Sequence, residues 1–167
     1  VKDLPQLKIT SPQAGVRITG HALVVAVGGA GAQVLHLLRD RVASHRAACP
    51  LDLHSILIDT DASTIHAARL AEVSDRVPVC QTIHTPLRSP QEYKSYQGVK
   101  YKSISRRWLY NLPRSGATEG MRPLGRLALI DHGDNVMQKI QESIRHLSAV
   151  AGRTTPRVYV VSSVDGG

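Results

Sequence analysis

Residues 22–33 read A-L-V-V-A-V-G-G-A-G-A-Q, an apolar run that passes directly into a glycine cluster. A short, uninterrupted apolar run is typical of a strand buried on both faces of a parallel sheet. From Val34 to Val42, apolar residues recur at three- and four-residue intervals, with the charged residues 39–41 on the other side. The pattern therefore predicts a strand, a glycine loop and an amphipathic helix.

The same alternation continues along the chain. Apolar patterning predicts strands at 53–58, 77–81 and 157–163, and helices at 62–70 and 122–150. Thr60 or Asp61 is the expected N-cap of the helix at 62–70. Alternating strands and helices indicate the α/β class, here a Rossmann-like parallel sheet with flanking helices and right-handed crossovers. Residues 1–20, with prolines and glycine among polar residues, predict an irregular arm before a domain at 21–167.

Composition limits the kinds of function that the chain can have. The length of 167 residues fits one domain, or a fragment of a larger protein. The net charge of +8 favours an anionic partner such as a nucleotide, nucleic acid or an acidic membrane surface. No apolar run approaches the about 18 residues of a membrane span, and no secretory signal is recognisable. Cys49 and Cys80 lack the spacing of a disulfide framework or a zinc site, which predicts two thiols in a cytoplasmic protein.

Residues 82–116 read as a basic, aromatic insertion. Seven Lys and Arg residues lie between Arg88 and Arg114 against one acid, together with five of the six aromatic residues of the chain. Cations interleaved with aromatics can bind single-stranded nucleic acid by phosphate contact and base stacking. The alternative is a solvated insertion whose aromatics anchor it to the domain. The absence of strand alternation favours this second interpretation.

The glycine cluster is the first candidate site. A buried strand that leads through glycines into a helix points backbone N–H groups and the positive end of the helix dipole at one spot, which suits phosphate. The dinucleotide fingerprint G-x-G-x-x-G is met only by Gly29 and Gly31, since Val34 holds the third position; Asp59 would then be the ribose-binding acid. A Walker A loop is excluded because no lysine follows. Tight turns also use glycine for geometry alone.

Several separated motifs together resemble the nucleotide-binding half of the tubulin superfamily, which includes the bacterial cell-division homologue. Residues 28–33 are similar to the first tubulin loop, G-Q-x-G-x-Q, whose backbone holds phosphates and whose last glutamine contacts the nucleoside. The resemblance implies nucleotide contacts at Gly28, Gly29, Ala30, Gly31, Ala32 and Gln33, with Gly29 standing where the family has glutamine. Asp59-Thr60-Asp61 resembles the second loop, whose acid faces magnesium and phosphate. Asp61 is the preferred candidate for Mg²⁺ held through water, and Asp59 is the next.

Two later motifs extend the resemblance. Residues 114–120, R-S-G-A-T-E-G, are similar to the loop that senses the γ-phosphate, and residues 122–126, R-P-L-G-R, echo its bacterial form one residue out of register. The implied contacts are Ser115, Gly116, Ala117, Thr118 and Glu119. Residues 162–167, S-S-V-D-G-G, are similar to the strand and opening of the signature loop G-G-G-T-G-[ST]-G. This adds Asp165, Gly166 and Gly167, with Asp165 at the first glycine of the family motif.

The resemblance implies a tubulin-type GTP-binding domain, cut after the fourth strand, of a bacterial tubulin-like protein that assembles into a filament or oligomer. GTP or GDP and Mg²⁺ are the implied ligands. The family hydrolyses GTP only when a second subunit supplies acidic residues, so no catalytic residue is assigned and this chain alone is expected to be inactive. Two alternatives stay open: an NAD(P)-binding domain of an oxidoreductase, and a non-catalytic nucleic-acid or protein interaction module that uses the basic insertion. No metal site is expected at residues 131–134.

Overall fold

The computed structural model describes residues 20–45, 51–70, 80–95, 101, 104–152 and 154–163. These ranges contain the following elements: β1 (Gly20–Val27), α1 (Gly28–His45), β2 (Leu51–Asp59), α2 (Ala62–Leu70), β3 (Cys80–His84), α3 (Pro90–Ser95), α4 (Arg106–Tyr110), α5 (Arg122–Ala151) and β4 (Arg157–Ser162). The arm predicted for 1–20 lies outside the described residues except for Gly20, which begins β1.

The four strands form one parallel sheet in the order β3-β2-β1-β4. The Rossmann-like parallel sheet predicted from the sequence is therefore confirmed. Val27, the last residue of β1, pairs with Ile58 of β2 and with Ser162 of β4. The carboxyl ends of the strands consequently lie side by side, and we call this side of the sheet the carboxyl edge.

Alternate residues of β1 face two different layers of helix. Ala22, Val24 and Ala26 pack in a cluster with residues of α1 and α2, among them Leu35 and Ile65. Leu23 and Val25 pack on the opposite face in a cluster with residues of α5, among them Val136 and Leu147. The apolar run is buried on both faces, as its pattern predicts, because a period of two sends successive side chains to opposite sides of the sheet.

The described residues between Thr85 and Leu112 pack onto the start of α5. Their buried aromatics, Tyr93 and Tyr101, pack in a third cluster with Leu124, Leu127 and Ala128 of α5. Trp108 also packs against this cluster, with the Arg107 guanidinium 4.8 Å from the centre of its ring. Tyr93, Tyr101 and Trp108 thus anchor the segment to the domain, whereas Tyr110 is exposed.

Three expectations about helix and strand boundaries need correction. α1 begins at Gly28, so the glycines form its first turn and no separate loop precedes it. β3, described from Cys80 to His84, extends beyond its predicted end at Gln81, because it pairs with Ser55–Asp59 of β2 and Ile83 is buried there. Residues 77–79, where the predicted strand begins, lie outside the described part. β3 therefore takes up the beginning of the stretch assigned to the insertion.

Some side chains predicted to lie on the core faces of helices point to solvent instead. Val34 and Leu37 of α1 are exposed, whereas Arg39, predicted on the polar side, is buried. Val150 of α5 is also exposed. The buried residues at this end of the helix are Leu147 and Ala151, which lie four apart on one side of α5, and Val150 lies outside that stripe. No helix in the described ranges is both long enough and apolar enough to cross a membrane.

Candidate functional site

The first turn of α1 lies directly against the carboxyl edge. Gly28 has a φ of 73°, a left-handed backbone that glycine adopts without strain and that turns the chain from β1 into the helix. The first four N–H groups of a helix have no acceptor within the helix, and here they belong to residues 28–31. No acidic residue occupies the first turn of α1. The turn thus presents N–H donors and the positive end of the dipole with no carboxylate of its own to neutralise them.

The two glycines of this turn have different surroundings. A Cβ added to Gly31 would lie 3.0 Å from the carbonyl oxygen of Val161 and 3.1 Å from the carbonyl carbon of Ala26. Gly31 is therefore required for the close approach of α1 to β1 and β4. Among the described residues, no atom lies within 4 Å of a Cβ added to Gly29. Open space at Gly29 leaves room for an anion beside the turn.

The rest of the predicted first loop continues along α1. Ala30 and Gln33 are exposed, and Ala32 is half-buried against the core cluster of β1 and β2. Gln33 therefore lies one helical turn beyond Gly29 with its side chain accessible. Its contact with a nucleoside stays a prediction.

Two predicted site residues, Asp59 and Asp61, have different environments. Asp59 is buried at the end of β2, where its Oδ1 accepts a hydrogen bond of 3.0 Å from the Asp61 N–H and its carbonyl accepts one of 2.9 Å from the Thr85 N–H. This carboxylate shapes the turn that follows β2.

Asp61 caps α2, as predicted. Its Oδ1 accepts the N–H of Ser63 at 3.0 Å, and its Oδ2 accepts the hydroxyls of Ser63 and Thr64 at 2.6 and 3.1 Å. The hydrogen bonds from the hydroxyl and N–H of Ser63, followed by those from Thr64, hold the pKa of Asp61 below its usual value. Asp61 is therefore a fixed, ionised carboxylate at the carboxyl edge.

The third predicted segment, which we call the Gly116 turn (residues 114–120), reaches the same edge through a long-range contact. The N–H of Thr118, a buried residue, donates to the Thr60 hydroxyl at 3.2 Å. The carbonyl of Gly116 accepts the N–H of Leu87 at 2.8 Å. The turn is thereby attached to both the β2–α2 and the β3–α3 connections.

The backbone N–H groups of the Gly116 turn already donate to protein acceptors. Those of Gly116, Ala117 and Thr118 are bonded to the Pro113 carbonyl, the Ser115 hydroxyl and the Thr60 hydroxyl respectively. A phosphate could accept from them only after these partners are exchanged.

Glu119 combines a side-chain contact with backbone strain. Its Oε1 accepts the Ser115 hydroxyl at 3.0 Å, and its φ of 49° lies in the left-handed region that favours glycine. It is the one non-glycine residue with a positive φ in the described part of the chain.

The structure thus brings three of the four predicted segments together: the start of α1, the 59–61 turn and the Gly116 turn. The fourth, with Asp165, Gly166 and Gly167, lies outside the described residues. The end of β4 nevertheless reaches this edge, since the Val161 carbonyl lies against Gly31.

The residues fit an Mg²⁺ ion held mainly by phosphate and water. Mg²⁺ usually takes one or two carboxylates, keeps several waters and completes its shell with substrate phosphates. Asp61 offers one such ionised carboxylate at the edge. Among the described residues no group of three or more His, Cys, Asp or Glu side chains could hold a metal alone.

The basic, aromatic segment is less suited to base stacking than its composition indicates. Tyr93 and Tyr101 are buried, and their hydroxyls both donate to the Asp131 carboxylate. Tyr96, Lys100 and Lys102 lie outside the described residues. The aromatics that the structure describes as buried act as anchors in the core, which agrees with the solvated-insertion interpretation.

Comparison with known proteins adds one positive finding. A family model described as tubulin like matches residues 23–167, which is most of the chain and includes all of the segments discussed above. No curated protein and no solved structure matches the chain.

Proposed function

The chain belongs to the tubulin-like family, and from that premise we propose that it binds a guanine nucleotide with Mg²⁺ at the carboxyl edge of its sheet. The observation that carries the proposal is the first turn of α1, whose N–H groups have no acceptor within the helix and where none of the described atoms lies within 4 Å of a Cβ added to Gly29. Ligands of open α/β sheets characteristically bind beyond the carboxyl ends of the strands.

Each segment at the edge has a distinct part in this proposal. The N–H groups of residues 28–31 bind phosphate oxygens, and Gln33 contacts the nucleoside. Asp61 accepts hydrogen bonds from water molecules bound to Mg²⁺, and the ion supplies positive charge between the phosphates. Asp59 and Thr60 position these groups, since Asp59 shapes the turn and Thr60 bonds the Gly116 turn.

We further propose that the protein self-associates and that GTP hydrolysis belongs to the assembled form. Val158, Tyr159 and Val160 of β4 are exposed, although they are apolar or aromatic. An exposed strand with apolar side chains on both faces is a surface that gains stability when another protein surface covers it. Sedimentation of the protein with GTP, compared with GDP, tests this part separately from binding.

The test of nucleotide binding is calorimetric titration of GTP, GDP, ATP and NAD with Mg²⁺ into the wild type and into Gly29→Asp and Gly29→Asn. The two variants have the same size and differ in charge. A carboxylate about 5 Å from a phosphate costs a few kcal/mol at an effective dielectric constant of about 20, so Gly29→Asp should bind GTP at least about tenfold more weakly than Gly29→Asn. An acid in the first turn favours the helix dipole, so the melting temperature of Gly29→Asp should be no lower than that of Gly29→Asn.

Three results would contradict the proposal. Preference for NAD over GTP would favour the dinucleotide interpretation, in which Asp59 serves the ribose. Tight binding of single-stranded nucleic acid with a steep salt dependence, and none of GTP, would favour an interaction module. Equal GTP affinity of the two Gly29 variants would show that phosphate does not bind at the start of α1.

A further inference from the structure

A cavity of about 400 Å³ lies between α1 and α2. Its floor is formed by the buried residues Leu35, Leu57 and Cys80, with Ala68 as a wall and Ala67 at the exposed rim. The volume is in the range of sites for small molecules, which are mostly apolar with a few well-placed polar groups. The cavity can therefore accept the apolar body of a small ligand.

One fixed positive charge also lines this cavity. Arg39 of α1 is 9% exposed, and within the described part of the chain its Nε has no hydrogen-bond partner. A guanidinium stays protonated in proteins, so it cannot relieve its burial by losing the proton. A buried charge without a partner is unfavourable, which means that a ligand supplying the missing acceptor gains binding energy.

Two nearby carboxylates, that of Asp40 beside Arg39 on α1 and that of Asp61 at the start of α2, are engaged elsewhere. Asp40 is exposed, with its Oδ2 3.6 Å from the His36 Nε2. Asp61 binds the first turn of α2 through both oxygens. Neither side chain supplies the acceptor that the Arg39 Nε lacks.

We propose that this cavity binds a compact amphipathic carboxylate whose two oxygens accept hydrogen bonds from the Nε and one Nη of Arg39. The side of a guanidinium matches a carboxylate in this two-bond geometry. A monoanion fits better than a phosphate because Arg39 is the single Lys or Arg among the described residues that line the cavity. The apolar body of the ligand lies on Leu35 and Leu57.

The site goes beyond the nucleotide site and does not depend on it. Gly29 and Gln33 line the same cavity, so the acid lies beside the turn proposed for phosphate. The test is made without nucleotide, so that a failure of guanine-nucleotide binding leaves its result unaffected.

The probes are naphthylacetate, indoleacetate and phenylacetate, each compared with its neutral amide of nearly the same shape. Binding is measured by protein-observed NMR, with shifts expected at backbone amides of α1 and α2. At least one acid should bind, and about tenfold or more tightly than its amide, because a hydrogen bond to a charged group is lost in the amide.

Two variants locate the site, and a third is the control. Arg39→Met should weaken binding of the acid about tenfold or more, with an unchanged or higher melting temperature in the absence of ligand, because it removes an unmatched buried charge. Ala67→Leu should block the rim and weaken binding without touching the charge. Arg41→Met removes an exposed cation from the same helix and should leave binding unchanged.

The proposal is overturned if none of the three acids binds, or if acid and amide bind equally. It is also overturned if Arg39→Met binds the acid as the wild type does, or if Arg41→Met weakens binding as much as Arg39→Met. A large fall in melting temperature for Arg39→Met would show instead that Arg39 has a structural partner. In that case Ala67→Leu decides, since unchanged binding in that variant places the ligand elsewhere.

Discussion

Replacing Tyr93 by phenylalanine should lower the free energy of unfolding by about 2.5–4 kcal/mol. The hydroxyls of Tyr93 and Tyr101 both donate to the Asp131 carboxylate, whose side chain is fully buried, and the Arg88 Nε lies 3.6 Å from the same carboxylate. The Tyr93 hydroxyl has a second role, because it accepts the N–H of Arg88 at 3.1 Å. Tyr93→Phe therefore removes a bond to a buried charge and also takes an acceptor from the backbone.

The expected magnitudes follow from these contacts. A hydrogen bond to a charged group contributes about 1.5–3 kcal/mol, which is the expected loss in the free energy of unfolding for Tyr101→Phe. The lost acceptor for the Arg88 N–H adds about 1 kcal/mol in Tyr93→Phe. Urea denaturation measures the free energy of unfolding of both variants. The dependence of this free energy on urea concentration should be the same in each variant.

The pH dependence of the same variant gives an independent check. Burial, followed by the hydrogen bond to Asp131, raises the pKa of the Tyr93 phenol above its usual value. The phenol thus ionises more readily in the unfolded chain, and its contribution to stability is complete below about pH 10 and is lost as the pH rises further. The stability difference between wild type and Tyr93→Phe should shrink above about pH 10, by up to about 1.4 kcal/mol per pH unit.

The reasoning would be refuted if Tyr93→Phe lowered the free energy of unfolding by less than about 1.5 kcal/mol. It would also be refuted if Tyr101→Phe cost less than about 0.5 kcal/mol, the range of ordinary surface substitutions. The outcome bears on the candidate site, because Leu87 packs in the same cluster as the two tyrosines and its N–H donates to the Gly116 carbonyl. Loosening the tyrosine cluster should therefore loosen the Gly116 turn.

Two further predictions concern backbone positions at the carboxyl edge. Gly31→Ala should lower the free energy of unfolding by about 1–3 kcal/mol, because the new Cβ would press on the backbone of Val161 and Ala26. Gly133→Ala in α5 is the control: no described atom lies near its Cβ, and it should raise the free energy of unfolding by up to about 1 kcal/mol. Equal shifts of the melting temperature in the two variants would contradict this. Glu119→Gly should raise the free energy of unfolding by about 0.5–1 kcal/mol, because glycine adopts the left-handed backbone at this position without strain. Glu119→Gln keeps the strain, so its urea denaturation should stay near that of the wild type. A glycine variant no more stable than the glutamine variant would disprove this prediction.

Local pattern was sufficient for most of the fold. The apolar run at 22–27 and the helix at 62–70 carry their own signals, namely a buried-strand composition and a capping aspartate. The parallel sheet places the glycine cluster and the 59–61 turn at one edge, and the resemblance to tubulins is why these segments could be grouped as one site before the structure. The end of β3 could not be predicted, because it is set by pairing with β2 and not by the composition of β3 itself.

The contacts that complete the site are those that sequence reasoning missed. Thr118 and Thr60 are 58 positions apart, and Tyr93 and Asp131 are 38 apart, so no local period connects them. The burial of Arg39 was missed for a different reason, since Arg39 belongs to the charged triplet 39–41, which is typical of a solvated helix face. Its spacing of four from the buried Leu35 was the available signal, because residues four apart share one side of a helix.

The start of α1 and the Gly116 turn differ in the hydrogen bonds that a nucleotide gains by binding to them. The first turn of α1 can donate to a phosphate without losing any bond within the helix. On the Gly116 turn, a phosphate must displace the Ser115 hydroxyl from Ala117 and the Thr60 hydroxyl from Thr118, so each new bond replaces an existing one. An exchange of this kind returns little net energy, because the gain of the new hydrogen bond is offset by the loss of the old one. Affinity for the proposed nucleotide should therefore reside in α1, and the Gly116 turn, with its strained Glu119, should respond to the ligand rather than hold it.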